Sequence, residues 1–260
     1  MDDGDEFPNQ VLAPGVVVPN GPEAASWLSG RMLRIGRAAA GVSYGIPVGA
    51  VVPLGFEAYV RVFHPAEGGE DGGEPIFWSE VAEWAGRRVH PLMQWEAISR
   101  PAPGFGAGPK PWKEDPPVGR CPDDTLAALA EHLERFTETP ETTWVCVWDG
   151  FTSVGPLIRH APRVRLPGRT YALLRAPLDV VAEGIVRGGV WTPGPNLWWP
   201  DDRAWCVATE VDFRWTFVAG SRGLIASIAG DTRLEALETR PEHRCDVGSD
   251  MINMLNDEPY

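Results

Sequence analysis

The sequence predicts an α+β fold, a mixed and largely antiparallel sheet with helices packed on it. Three observations lead there. Several segments alternate apolar and polar residues with the period of two that a half-buried strand requires. Others repeat apolar residues at helical spacing between a capping residue and a glycine. The two kinds of segment also lack the regular strand–helix–strand rhythm of a parallel sheet.

In chain order, residues 1–25 carry Asp2, Asp3, Asp5, Glu6 and Glu23 without a lysine or arginine, and read as a flexible acidic tail. Residues 26–245 read as a single α+β domain and 246–260 as an acidic C-terminal tail. Within the domain, SWLSGRMLRIGRAAA (26–40) spaces Trp27, Leu28, Met32 and Ile35 for a short helix. EAYVRVFHP (57–65) sets Ala58, Val60 and Val62 against Tyr59, Arg61 and Phe63, a strand ended by proline. SEVAEWAG (79–86) suits a helix capped by Ser79 and stopped by Gly86, and 89–98 reads as extended. Proline and glycine crowd residues 100–122, which predicts a loop.

The clearest helix follows. Asp123 and Asp124 place negative charge at its start, and Leu126, Leu129, Ala130 and Leu133 share one face. TWVCVWDG (143–150) and RTYALLRAP (169–177) read as strands, and LDVVAEGIVRGG (178–189) as a helix with Asp179 near its start and Gly188 beyond its end. Two strands joined by a short turn fill 203–220, with Trp205, Val207, Thr209 and Val211 on one side. SRGLIASIAG (221–230) closes the series as a helix between Ser221 and Gly230.

The formal net charge is −13, and much of the excess falls in residues 1–25 and 67–74. That balance argues against nucleic-acid and anionic-membrane partners. No apolar run approaches the ~18 residues of a membrane span. The chain does not open with a basic segment leading into an apolar one, so no export signal is expected. Cys121, Cys146, Cys206 and Cys245 are accordingly expected to be reduced thiols of a cytoplasmic protein.

NLWWPDDRAW (196–205) carries the leading candidate site. In one reading Pro200 shapes a turn, Asp201 and Asp202 accept backbone amides, and the rings belong to the core. In the other, Trp198 and Trp199 wall a binding surface on which Asp201 or Asp202 holds a hydroxyl or a cation. For a small-molecule enzyme the acid/base candidates are His64 at a strand end with Glu57 and Asp149. Arg159, Arg163 and Arg165 gather in RHAPRVRLPGR (159–169), either as a solvated connection or as an anion contact.

Two motifs match only in letters. GVSYG (41–45) has the nucleophile pattern around Ser43, but the following IPVGAVVPLG does not suit the helix that the chemistry needs. GFGAGPKPW (104–112) lacks a helix for a phosphate to cap, because Pro109 and Pro111 prevent one. The five histidines show no metal-ligand spacing, so neither a metal nor a cofactor is expected.

PLGFEAYVRVFHPA (53–66) and NLWWPDDRAWCVATEVDFRWTFVAGS (196–221) together resemble a family of hypothetical bacterial proteins with no assigned activity. A looser pattern is similar to the SUKH (Smi1/Knr4-like) superfamily: an early helix, the VPLGFEAYVRVF entry, and a strand–strand–helix ending in SRGLIASI. The Pro/Gly-rich insertion at 100–122 departs from that pattern. The similarity implies a non-catalytic interaction protein, immunity-like in role, with a protein or small-molecule partner. The alternative is an enzyme with histidine–carboxylate chemistry in a tryptophan-lined pocket.

Overall fold

The computed structural model describes residues 10–35, 45–68, 74–188 and 192–253. Eight strands form its main sheet: β1 (Ala58–Phe63), β2 (Thr143–Trp148), β3 (Arg163–Leu166), β4 (Arg169–Ala176), β5 (Leu197–Pro200), β6 (Cys206–Ala208), β7 (Trp215–Gly220) and β8 (Glu235–Thr239). Across the sheet they run β8-β1-β7-β6-β5-β2-β4-β3, and every neighbouring pair is antiparallel. The principal helices are α1 (Trp78–Trp84), α2 (Asp123–Glu134), α3 (Leu178–Glu183) and α4 (Arg222–Ala229). The fold is thus α+β, and among the described residues no helix is long and apolar enough to cross a membrane.

Side-chain alternation assigns the two faces of the sheet. Val60, Val62, Val145, Leu174, Trp198, Val207 and Val218 meet the apolar faces of α2, α3 and α4 in one core. Tyr59, Phe63, Cys146, Trp199, Cys206 and Phe217 point the other way, against Leu28, Val48, Val52, Trp78 and Trp95. The result is three layers, with helices on one side and a largely irregular, tryptophan-rich cover on the other. All four cysteines are free and buried within these cores.

Local chemistry explains most element ends. The Ser221 hydroxyl accepts the Leu224 amide at 3.2 Å and caps α4. At α1 the expected Ser79 cap is replaced from a distance: Ser79 lies inside the helix, which starts at Trp78. The amides of Trp78 and Ser79 both donate to the Glu235 carboxylate on β8, the latter at 2.8 Å. Burial pushes that carboxyl's pKa up, against the pull of the two amides.

Other boundaries differ from the expectation. Only Ser26–Ser29 of the 26–40 segment forms a helical turn, and Trp95–Ile98 coils where extended chain was expected. Helix α3 stops at Glu183 because Gly184 takes φ 107°, which favours glycine. The 100–122 loop holds one short strand, Trp112–Glu114, paired with Ala66–Gly68.

The two tails also need correction where they are described. Val11–Leu12 pairs with Val186–Arg187, and Ala13 and Ala25 are buried, so residues 10–25 are docked. At the other end Ser249, Asp250 and Asn253 are buried. His90 Nε2 lies 2.9 Å from Asp250, and Gln94 donates to Ser249 at 2.7 Å. These side chains fasten 249–253 to the 90–94 segment. Although burial opposes its ionisation, hydrogen bonds from His90, Asn253 and the Gln94 amide hold Asp250 down at about 2.

Two buried ionisable groups lie on or beside β1. The Arg61 guanidinium donates through Nη1 to the carbonyls of Pro91 and Met93, both at 2.9 Å. Its carbon lies 3.7 Å from the centre of the Trp215 ring, and burial pulls its pKa down to about 9. His64 lies just past β1, its ring nitrogens 3.0 Å from the Pro117 carbonyl and 3.0 Å from the Thr216 hydroxyl. Burial lowers its pKa to about 4, so the folded protein holds it neutral.

The sign of the resulting pH dependence follows. The unfolded chain protonates His64 below its ordinary value of 6.5, whereas the folded chain resists down to about 4. Stability is therefore full above 6.5 and falls as the pH is lowered towards about 4. The Asp250 contribution is present above 3.8 and disappears as pH falls towards about 2. Urea unfolding at pH 7 and pH 5 is the measurement; His64→Gln should lose less stability between the two than the wild type does.

Candidate functional site

The residues nominated from sequence do not assemble. Trp198 and Trp199 are each 0% exposed, on opposite faces of β5. Trp198 packs edge-on to Trp205 at 5.2 Å, and Trp199 edge-on to Trp27 at 5.8 Å. Two consecutive strand residues must point opposite ways, and here both sides are core. The proposed aromatic surface is therefore withdrawn.

Asp201 and Asp202 are exposed but act as turn carboxylates. Asp201 accepts the Trp144 indole at 2.8 Å. Asp202 accepts the Thr137 hydroxyl at 2.9 Å, the Glu138 amide at 2.7 Å and the Ala204 amide at 3.0 Å. Together they tie the β5–β6 turn to β2 and to the chain that leads into it from α2.

The acid/base trio is scattered. His64 has both ring nitrogens engaged in the core. Glu57 lies at the opposite end of β1, roughly 23 Å away at ~3.3 Å per residue, and accepts the Arg222 amide at 3.1 Å. Asp149 follows β2, four strand positions from β1 and so roughly 19 Å distant at ~4.8 Å per strand. No single cleft unites them. The arginines divide likewise. Arg163 donates to the carbonyls of Ile158 and Ala161 at 3.0 and 2.5 Å and lies 3.6 Å from Asp149, while Arg159 and Arg165 are exposed. Ser43 lies outside the described residues.

One constellation absent from the sequence reading has the order of a catalytic triad. His132 Nε2 lies 2.8 Å from Asp231, and His132 Nδ1 lies 2.6 Å from the Ser227 hydroxyl. Arg135 Nη2 also approaches Nδ1, at 2.9 Å, so the nitrogen that would activate the serine is shared with a cation. Ser227 lies within α4, whose backbone amides are committed to the helix and cannot cradle an oxyanion. None of the three lines the groove described next. Arg233 donates to Asp231 and, with His132, holds it below the usual carboxylate range. The group clamps α2 to α4.

A groove of 1190 Å³ lies elsewhere on the surface. One side comes from Ala66–Glu67, Glu74–Pro75 and the start of α1 at Phe77 and Glu80; α2 and Thr232–Arg233 form the other. Pro65, Phe77, Pro117, Pro122 and Ala128 give it apolar ground. Seven carboxylates line it (Glu67, Glu74, Glu80, Glu114, Asp115, Asp124 and Glu131) against one guanidinium, Arg233. Arg233 is already committed, to Glu131 at 2.7 Å and to Asp231 at 2.8 Å. Although partial burial opposes it, the Trp112 indole and then Lys110 hold Asp115 below its ordinary pKa. Among the described residues Glu67, Glu74, Glu114 and Asp124 have no ion-pair partner. No group of metal-ligating side chains occurs among those residues either.

In the sequence the acids at 67–74 stand out only as part of the net charge excess. The missing signal was topological. The groove joins residues near 67, 114, 124 and 232, which no local window connects. No protein-family model matches the chain, and neither a curated protein nor a solved structure matches it.

Two outcomes are expected. Trp198→Ala should cost ~3–5 kcal/mol in urea unfolding, the range for truncating a buried aromatic. Wild type and Ser227→Ala should hydrolyse p-nitrophenyl acetate at the same rate, close to that of buffer.

Proposed function

We propose that the protein is a non-catalytic interaction protein of the cytoplasm whose acidic groove receives a lysine- and arginine-rich segment of a partner protein. The charge of the groove carries this reading: seven carboxylates converge on one concavity with a single guanidinium. Concave, low-dielectric walls of one sign focus the field and speed encounter with the opposite charge. The apolar ground suits the aliphatic stems of lysine and arginine, whose charged heads then reach the carboxylates at the rim. The similarity to the SUKH superfamily supports the same class of role, an immunity-type partner without chemistry of its own.

The test is fluorescence anisotropy with a labelled decaarginine peptide. Binding should weaken steeply between 20 and 300 mM salt, because screening shortens to ~10 Å or less above 0.1 M. Combining Glu74→Lys, Glu114→Lys and Asp124→Lys should reduce affinity by at least tenfold. A control with the same change in charge elsewhere, Glu141→Lys, Asp179→Lys and Glu238→Lys, should lose far less. Equal losses in both variants would sink the groove as the binding site.

A further inference from the structure

A second concavity lies on the tryptophan-rich side of the sheet, away from the acidic groove. It encloses 270 Å³ between Met32, Ile35, Ile46, Ala50 and Val51 on one side and the β3–β4 hairpin and the turn after β6 on the other. Met32, Ile46, Val51, Leu166 and Phe213 give it apolar walls. Three ionic side chains and one hydroxyl interrupt them: Arg169, Glu210, Asp212 and Tyr171.

These polar groups are not matched to one another. Arg169 Nε and Nη2 both donate to Oε1 of Glu210, the former at 2.8 Å, and Nη2 also donates to Asp212 at 2.6 Å. Two carboxylates thus share one guanidinium, which leaves one negative charge over. Oε2 of Glu210 accepts no hydrogen bond among the described residues. Tyr171 is only 8% exposed and lines the cavity, yet its hydroxyl has no hydrogen-bond partner among the described residues. The hydroxyl is not sealed in the core: it opens onto the cavity, where an incoming polar group can meet it. Burial raises its pKa, so it remains a neutral hydroxyl able to donate and accept.

We propose that this cavity is a binding site for a small organic monocation, a primary amine on a compact apolar body. The ammonium meets Oε2 of Glu210 and the Tyr171 hydroxyl, and the body lies against Phe213 and the aliphatic walls. The residual negative charge excludes carboxylates and phosphates. The volume lies just below the ~300–1,000 Å³ of drug-sized pockets, so one ring with a short side chain fills it. The site is separate from the groove and does not depend on that reading.

Isothermal titration of the full chain with 2-phenylethylamine tests this, with 2-phenylethanol and phenylacetate as neutral and anionic counterparts. The amine should bind saturably, the alcohol at least tenfold more weakly, and phenylacetate not at all. Tyr171→Phe should weaken the amine several-fold and Glu210→Gln about tenfold, the cost of a hydrogen bond to a charged group. Urea unfolding of each variant verifies that it is folded, and Tyr171→Phe leaves the Arg169 pairs in place should Glu210→Gln prove unstable. The triple groove variant should bind the amine like wild type, which separates failure here from failure of the groove reading. No saturable heat at millimolar amine, equal binding of the three compounds, or indifference to Tyr171→Phe would each overturn the assignment.

Discussion

Both faces of the eight-stranded sheet are covered, and that constraint governs the rest of the molecule. A sheet with one wet face can place polar side chains there at little cost. Here neither face is available, so each polar atom on the central strands needs an internal partner. His64 meets it with a carbonyl and a threonine hydroxyl, and Thr216 passes the chain on to Thr209 at 2.8 Å. Arg61 meets it only through Nη1, with two carbonyls that draw the 91–93 segment onto the sheet; its Nε and Nη2 are buried without a hydrogen-bond partner, and the Trp215 ring lies against the guanidinium. The irregular cover is irregular partly because it must bring carbonyls to these groups.

The same constraint moves function to the periphery. Side chains on the central strands are too well enclosed to meet a partner, which is why the tryptophan pair at 198 and 199 has no surface to offer. What remains are the margins, where the cover ends. The acidic groove lies where α1 and a small sheet of Pro75–Ile76, Ala66–Gly68 and Trp112–Glu114 face the start of α2. The amine cavity lies where Met32, Ile46 and Val51 meet the β3–β4 hairpin. Each combines a charge imbalance with apolar ground, and they differ in scale and in the class of occupant they suit.

Five of the eight strands were legible from sequence because alternation is a local property; β3, β5 and β8 were not, since β5 reads as a turn and β3 as a connection. EAYVRVF gives the correct faces for Val60 and Val62 against Tyr59 and Phe63, and the 203–220 segment gives them for Trp205 and Val207 against Cys206. Helices α2 and α4 were legible for the same reason, through spacing and caps. Whatever rests on distant pairing was not. The cap of α1 comes from Glu235, some 156 residues downstream of Ser79. Asp250 reads as part of a charged tail until His90 is placed beside it. The candidate sites failed in a related way. A tryptophan beside an aspartate in the chain does not say whether the ring faces water, and here the sheet buried the rings while the acids stayed out.

The four enclosed cysteines have a practical corollary. Burial holds Cys146 and Cys206 far above the range in which a thiol ionises in neutral buffer, and pushes Cys121 and Cys245 up to about 12. Alkylating reagents attack the thiolate, so each sulfur reacts only when its surroundings part. Cys245 lies near the carboxyl-terminal clasp, Cys121 beside the helical layer, and Cys146 and Cys206 on central strands. Labelling read by peptide mass would therefore distinguish fraying of one layer from collapse of the whole, with no engineered tag required.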